Sequence, residues 1–562
     1  MGENLLHQYV NYTYLLELWA CSKDTFNSNG TEGDELLMAD GGLGEKKGEI
    51  FNVNFSIDNV EIETLIGGLG KNGFAANALS IKFEIIEPYT VTLLEKLARV
   101  ATKYADDDIK TIIYMLKIKF IGYNDGGYGE PQLIDGLEKR FFFNMINIGF
   151  KVTHRGALYT CEGIATKNLS MIPVLDNEIK GHVELHGKTV NELFGVGSDD
   201  KEAKNLKNAI VNQQQKNIKD KIQTIPNQVT FEFEDELGNA KIIDPNDIDI
   251  PNSTIPGSNL GKSQAAQTLK QGREGKLEIN SQQGVVKAHA GTRIVDFIGS
   301  ILSSTDYMKN QVGQKDGPFI GWKVFPELKI GEYDTALNFF SRTLVYKVKK
   351  YSYSGLDHPA FGQKPPDNIV KTYNYVYTGM NKDVIKVNLD FHMAYFEVRS
   401  NKLHFGKNET ETPEQDDDTV DETKNPANFH RPGISPVTTN ATQSNTSSKN
   451  NDEKTIAVNE MISKLLDNGV DMMSLDIDIV GDPDWILQEE EQDIKYISQD
   501  VNFKFNFITP TNDYMENGLF DVSSSTSAYF GGIYKVIAVT NHFRKGRFSQ
   551  TLKNVRVRVQ PE

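Results

Sequence analysis

Apolar positions recur at every second residue over several stretches early in the chain. Phe51, Val53, Phe55 and Ile57 interleave with Asn52, Asn54 and Ser56; Leu79, Ile81, Phe83 and Ile85 with Ser80, Lys82 and Glu84; Tyr114, Leu116, Ile118 and Phe120 with Met115, Lys117 and Lys119. A period of two with one apolar face predicts half-buried antiparallel sheet. Between the second and third stretches, Pro88 and Thr92-Leu-Leu-Glu95 announce a helix, with Thr92 and Glu95 spaced as a capping box. Its apolar face is Leu93, Leu94, Leu97, Val100, Ala101 and Tyr104. Further strands up to about Lys167 complete a β-rich domain over residues 1–175, with one packed helix.

The pattern then changes. A polar helical stretch from Asp199 to Lys221 precedes a strand at Val229, Phe231 and Phe233, and a Gly/Ser/Asn-rich passage runs from Asn252 to Ser263. A second amphipathic helix is predicted from Thr292 to Met308, with Ile294, Val295, Phe297, Ile298, Ile301 and Leu302 on its apolar side. Strands follow at Trp322–Phe325, Thr343–Val348 and Val384–Phe391, so residues 176–400 read as α+β. Residues 401–455 are dominated by Asn, Thr, Ser, Asp, Glu and Pro, including Asp416-Asp-Asp418. Such a composition cannot bury enough apolar area to offset its ordering entropy, which predicts a linker or surface excursion. Strands resume with Leu475–Val480, Val501–Phe507 and Val555–Val559, a second sheet domain over 456–562. The fold class expected is mainly β with an α+β middle region.

One unit recurs. Asn147–Gly156 running into Ala157–Cys161, and Gly532–Thr540 turning through Lys545-Gly546 into Arg547–Leu552, both read as a strand, a basic Gly-containing turn and a returning strand. A chain that builds one hairpin module twice can present two equivalent surfaces, and three copies would present six.

The 562 residues suffice for several domains. The longest apolar runs, Ile112–Leu116 and Phe141–Phe143, fall well short of the roughly 20 residues of a membrane span, so no membrane insertion is expected. The first residues lack the basic segment and small-residue cleavage site of a secretory signal, and His7 stands where a myristoylation pattern needs Ser or Thr. Two cysteines, Cys21 and Cys161, exclude a disulfide framework and a Cys-rich zinc site, which suits synthesis in a reducing cytoplasm. A net charge of −17 argues against specific nucleic-acid binding, because holding phosphates requires clustered Lys and Arg. Acidity does suit a protein that DNA passes without sticking, and equally plain solubility.

Several patterns imitate chemistry. Gly68-Leu-Gly-Lys-Asn-Gly73 matches a phosphate-binding fingerprint, but the residues after it alternate as a strand, where the pyrophosphate site needs a helix N-terminus. His182-Val-Glu-Leu-His186 places two imidazoles four apart, yet Val183 and Leu185 alternate with the polar residues, so a strand with solvated His is expected in place of a zinc helix. Asp476, Asp478, Asp482 and Asp484 could in principle hold a hard cation, but the first two read as the polar face of a strand. No G-x-S-x-G elbow is present, and neither cysteine has a nucleophile's context. No catalytic, cofactor-binding or metal-binding residues are assigned.

Four segments carry a resemblance. Lys371-Thr-Tyr-Asn-Tyr-Val-Tyr-Thr-Gly-Met-Asn-Lys-Asp-Val-Ile-Lys-Val-Asn-Leu-Asp-Phe391 resembles a Y-x-Y-x-Y-T-G-x-N-x-D-V stretch of tail and baseplate hub proteins of large tailed phages. Asp476-Ile-Asp-Ile-Val-Gly-Asp-Pro-Asp-Trp485 is similar to their D-I-x-G-D-P-x-W stretch. Gly532–Val539 with Phe543, Gly546, Phe548, Gln550 and Leu552 resembles their terminal hairpin, and Phe83–Tyr89 with Thr92-Leu-Leu is similar to the helix entry of their first domain.

The resemblance implies a virion protein, the central baseplate hub of contractile-tailed bacteriophages. It implies a homotrimer in which two β-barrel-like tube domains per subunit, flanking inserted middle domains, match a hexameric tail tube to a trimeric spike. The partners implied are the tail tube protein, the central spike protein and the baseplate wedge proteins. No catalysis or cofactor is implied. The alternatives are another tail component, such as a wedge or receptor-binding protein, and a glycan-degrading enzyme; a fibre would show repeats or long heptads, and neither is visible.

Overall fold

The computed structural model describes residues 4–40, 55–66, 79–124, 131–154, 156–166, 178–243, 278–313, 320–337, 339–352, 365–377, 381–391, 473–487, 498–508 and 530–557, with the single residues 379, 494, 496 and 560. The glycine pattern at 68–73, the passage 252–263 and the polar segment 401–455 lie outside them.

The first region supplies β1 (Asn11–Cys21), β2 (Glu35–Asp40), β3 (Ser56–Leu65), β4 (Leu79–Glu87), β5 (Ile113–Tyr123), β6 (Gln132–Leu133), β7 (Lys139–Thr153) and β8 (Gly156–Ala165). Apart from β6, which pairs with β5, they form an antiparallel sheet in the order β3-β4-β8-β7-β5-β1-β2. The alternation read from the sequence holds in two of its stretches: Ile81, Phe83 and Ile85 of β4, and Leu116, Ile118 and Phe120 of β5, face one core, while Phe51 and Val53 of the first stretch lie outside the described residues. The other face of β5 is not solvated, because Ile113 and Met115 pack with Cys21 and Phe26. Helix Leu93–Tyr104 closes the core with Leu93, Leu97, Val100 and Ala101.

That helix starts where predicted but is capped differently. Thr92 makes no side-chain cap to the helix backbone. The carboxylate of Glu87, at the end of β4 and fully buried, takes its place. It accepts from Thr92 N at 2.7 Å, Thr92 Oγ1 at 2.8 Å, Leu93 N at 3.3 Å and Tyr159 OH at 2.9 Å, and also from Thr90 Oγ1. Burial pushes the Glu87 pKa up, but these donors outweigh it and hold the group below the ordinary glutamate range.

The middle region contains β9 (Glu178–Ile179), β10 (Val183–His186), β11 (Gln228–Phe233), β12 (Glu278–Asn280), β13 (Val285–Ala288), β14 (Thr292–Arg293), β15 (Ile320–Asp334) and β16 (Phe339–Ser352). The β15–β16 hairpin takes β11 alongside in parallel; β10-β13-β12 and β14-β9 form two small sheets. Phe194, Phe231, Phe297, Trp322 and Tyr346 belong to their shared core. The polar helix is shorter than expected, Leu206–Lys219, and starts at the Asn205 cap, whose side chain accepts from Asn208 N at 2.8 Å. The helix expected from Thr292 to Met308 divides into Ile294–Leu302 and Asp306–Gly313. The break falls on buried Ser303, Ser304 and Thr305, whose hydroxyls bond back to the carbonyls of Gly299, Ser300 and Leu302. Hydroxyls that take backbone acceptors compete with the helical ladder.

The second sheet holds β17 (Ile369–Val376), β18 (Val384–Phe391), β19 (Met473–Val480), β20 (Asn502–Ile508), β21 (Gly532–Arg544) and β22 (Arg547–Arg556). Sequence reading leaves 369–391 in the middle region; here β18 pairs with β19 and β17 runs parallel to β20, so both strands join the second sheet. Both predicted hairpins form. β7 and β8 meet at Thr153↔Gly156, and β21 and β22 at Arg544↔Arg547. Lys545 and Gly546 both have positive φ, 50° and 74°, as a two-residue I′ turn requires. The two sheets are one: β21 pairs with β20 through Gly532–Lys535 and with β3 through Ala538–Phe543, giving a continuous sheet of 14 strands. Among the described residues no ladder closes either half into a barrel.

Replacing Glu87 by Gln should lower stability at pH 7 by about 1–3 kcal/mol, because the cap loses its charge-assisted hydrogen bonds. The folded-state pKa is depressed, so the carboxylate's stabilisation is present above the ordinary glutamate pKa and is lost as pH falls through the lower folded value. Urea unfolding of both proteins should therefore show a gap at neutral pH that narrows below about pH 4.3.

Candidate functional site

Three of the four segments that carry the resemblance meet in space. β17 directs Lys371 and Tyr373 inward, the 3-10 turn after β19 supplies Asp482, Asp484 and Trp485, and β22 supplies Phe548 and Gln550. Lys371 forms ion pairs with Asp482 and, at 2.7 Å, with Asp484. Asp482 Oδ1 accepts from Asp484 N at 3.1 Å, so the turn fixes one carboxylate with the backbone of the other. Burial raises the Asp482 pKa, and the Lys371 ammonium opposes that rise. Beside the ion pairs, Trp485 Nε1 donates to Tyr373 OH at 2.6 Å.

Gln550 carries the network toward the first sheet. Its Oε1 accepts from Asp482 N at 2.8 Å, while its Nε2 donates to Asp482 O at 2.9 Å and to Asn541 Oδ1 at 2.7 Å. Asn541 Nδ2 in turn reaches Ile62 O on β3 at 3.3 Å. Asn4 Nδ2 donates to Gly481 O at 2.9 Å. At Gly481 any Cβ would overlap the Phe548 ring, which is why the tight passage into Asp482 needs glycine.

The tip of the β21–β22 hairpin leaves its own sheet's core and enters the other. Phe543 and Phe548 stack at 4.6 Å and belong to the core under β1, β4 and β5, with Tyr14 at 5.0 Å from Phe543 and Phe120 at 5.3 Å from Phe548. The turn itself is pinned: Gly546 N donates to Tyr14 OH at 3.1 Å and Lys545 N to Asp58 Oδ1 at 3.2 Å.

A second buried knot ties in the middle region. Asp500 Oδ1 accepts from Tyr351 OH at 2.9 Å and pairs with Lys535 at 2.7 Å. Lys323, 2% exposed, donates to Ile66 O at 3.1 Å and lies 4.5 Å above the Tyr351 ring. Burial drives the Lys323 pKa down to about 8, with Asp500 pulling it up and Lys535 pushing it down.

The other candidates do not gather. Asp476 and Asp478 lie on the outer face of β19, where Thr551 Oγ1 donates to Asp478 at 2.7 Å, while Asp482 and Asp484 hold Lys371. Among the described residues no group of three or more His, Cys, Asp or Glu is placed to hold a metal ion. His186 is exposed and pairs with Glu184 at 2.9 Å, whereas His182 precedes β10 and faces His289. Burial pushes both cysteine thiols up to about 12, with Asp34 adding to the effect at Cys21, which favours the protonated thiol at neutral pH. A cavity of about 170 Å³ between helix Leu206–Lys219 and β9–β11 is smaller than the roughly 300–1,000 Å³ of a ligand pocket. No helix among the described residues is long and apolar enough to cross a membrane.

One surface stands out by exposure. β7 pairs with β5 only through Lys139–Phe143, so from Asn144 onward that edge has no described partner strand. It carries Ile146, Phe150 and Val152, exposed at 54%, 47% and 56%, and Tyr89 and Val91 beside the helix entry are also exposed. Lys371 was legible in retrospect, since it shares the inward face of β17 with Tyr373. Lys323 and Asp500 gave no local signal.

No family model matches the chain, and no curated protein matches it. Solved structures similar to it include tail proteins and a type VI secretion component. A tail protein from Neisseria meningitidis is 10% identical, with 90% of this chain and 97% of that one covered, at a TM-score of 0.30. The 43 kDa tail protein of a Shewanella oneidensis prophage is 7% identical over 97% and 98%, at 0.33. An Escherichia coli component of the type VI secretion system, described as structurally similar to T4 bacteriophage tail proteins, is 7% identical over 91% and 78%, at 0.25. With every TM-score below 0.5, these likenesses carry no argument by themselves.

Lys371→Ala should cost about 3–5 kcal/mol in chemical denaturation, because Asp482 is left buried without its counter-ion. For Lys323 the folded pKa is depressed, so the unfolded state binds more protons between the two values. Relative to Lys323→Met, the wild-type protein should gain up to ~3 kcal/mol as pH rises from about 8 to 10.5. A flat difference across that range would show that the ammonium is solvated.

Proposed function

We propose that the chain is a structural tail protein, the central hub of a phage baseplate, in which three copies form a ring joining a hexameric tube to a trimeric spike. The observation that carries this reading is the junction itself. Three segments that resemble hub proteins converge on one buried network and lock two β domains into a single 14-stranded sheet. A subunit that supplies two of six positions in a ring must hold its two domains at a fixed angle, and a shared strand does this more rigidly than a linker.

Other features fit the same role. The half-open edge of β7, with exposed Ile146, Phe150 and Val152, suits burial against neighbouring subunits. The net charge of −17 suits a ring whose lumen DNA crosses without adhering. The reading assigns the protein no chemistry of its own, places it in the virion tail after synthesis in the host cytoplasm, and makes the tube, spike and wedge proteins its partners.

Light scattering on the purified protein should give three copies per particle, and images of assembled tails should place the chain in a threefold ring coaxial with a sixfold tube. A monomer that stays peripheral to the tube would overturn the hub assignment and leave a wedge or fibre protein.

A further inference from the structure

We propose that His182 and His289 form a two-imidazole site for a borderline transition-metal ion such as Zn²⁺. The site is independent of the hub reading. It rests on register: in the β10–β13 ladder Val183 pairs with Ala288, so the next residues outward, His182 and His289, stand opposite each other. On the far side, β14 and β9 pair Thr292 with Ile179, and Gly291 N donates to Ile179 O at 2.8 Å. Both histidines are thus held between ladders, and facing residues across a strand pair approach to about 5 Å at Cβ.

The spacing of the two rings fits a chelate. Their Nδ1 atoms are 3.2 Å apart, their centroids 5.1 Å apart and their planes at 88°. Two nitrogens each about 2.05 Å from a tetrahedral ion lie about 3.3 Å apart, and the centroids behind them about 5 Å apart. The same pair is within hydrogen-bond distance in the absence of an ion, so an incoming cation would take the place of the shared proton.

Imidazole nitrogens suit Zn²⁺, Cu²⁺ and Ni²⁺. No third protein ligand is present among the described residues, so water completes the shell. Bound there, the ion would clasp the segment between β9 and β10 to the one between β13 and β14. His182 also lines the 170 Å³ cavity under helix Leu206–Lys219, so the clasp would hold one wall of that space.

Titration calorimetry of the untagged full-length protein with Zn²⁺ tests the site, with Co²⁺ absorption reporting the geometry. The wild-type protein should bind about one equivalent, with a tetrahedral cobalt spectrum, and His182→Gln or His289→Gln should weaken binding at least tenfold. His186→Gln, which alters the imidazole four residues further along the chain, at the end of β10, should leave binding unchanged. Circular dichroism spectra matching the wild type would establish that the variants fold. Absence of a one-equivalent site in the wild type, or equal affinity in the His182 and His289 variants, would overturn the proposal.

Discussion

Strand β21 has to satisfy two different strands along a single edge, and the rest of the molecule is arranged around that demand. Its first residues pair with β20 and its later ones with β3, while β22 covers the opposite edge for nearly the whole length. At the changeover the edge must pass from one sheet to the other, and the backbone shifts register between Val536 and Ala538. Three buried polar side chains at the junction serve that passage. Asn541 and Gln550 bridge β21, β22 and β3, and Lys371 neutralises the turn that follows β19.

Buried ions contribute little net stability, because desolvation offsets much of the attraction. Their effect here is to forbid alternatives. A slip of one residue in β22 would turn Gln550 out of the junction and bring a neighbour in, leaving Asp482 N, Asp482 O and Asn541 without partners. The Lys323 and Asp500 knot does the same for the middle region, which can dock only where Ile66 O meets Lys323 and Asp500 meets Tyr351. The apolar surfaces supply the driving force; the polar groups fix the angle.

How much of this was legible followed from distance along the chain. The alternating strands β4 and β5, both hairpins and helix Leu93–Tyr104 could be read because their signals are local: period, turn residues and an apolar face. The Glu87 cap was missed because the acceptor comes from the end of the preceding strand, five residues before Thr92, where no capping pattern looks. The break at Ser303–Thr305 was missed because an apolar stripe says nothing about hydroxyls taking backbone acceptors. The strands β17 and β18 were assigned to the middle because their partners, β20 and β19, come after the long polar segment. At the junction the resembling segments were visible as sequence, but nothing in them stated that they touch, or that Phe543 and Phe548 belong to the opposite core.

That last placement has a temporal side. Tyr14 holds Gly546 across 532 positions of chain. At a synthesis rate of about 5–20 residues per second, the strands made first wait roughly half a minute to two minutes for the aromatic pair that fills their core. Until then Tyr14 and Phe120 lack the two rings that they pack against in the folded structure. The packing of the sheet made earlier thus depends on a hairpin that lies more than five hundred residues further along the chain.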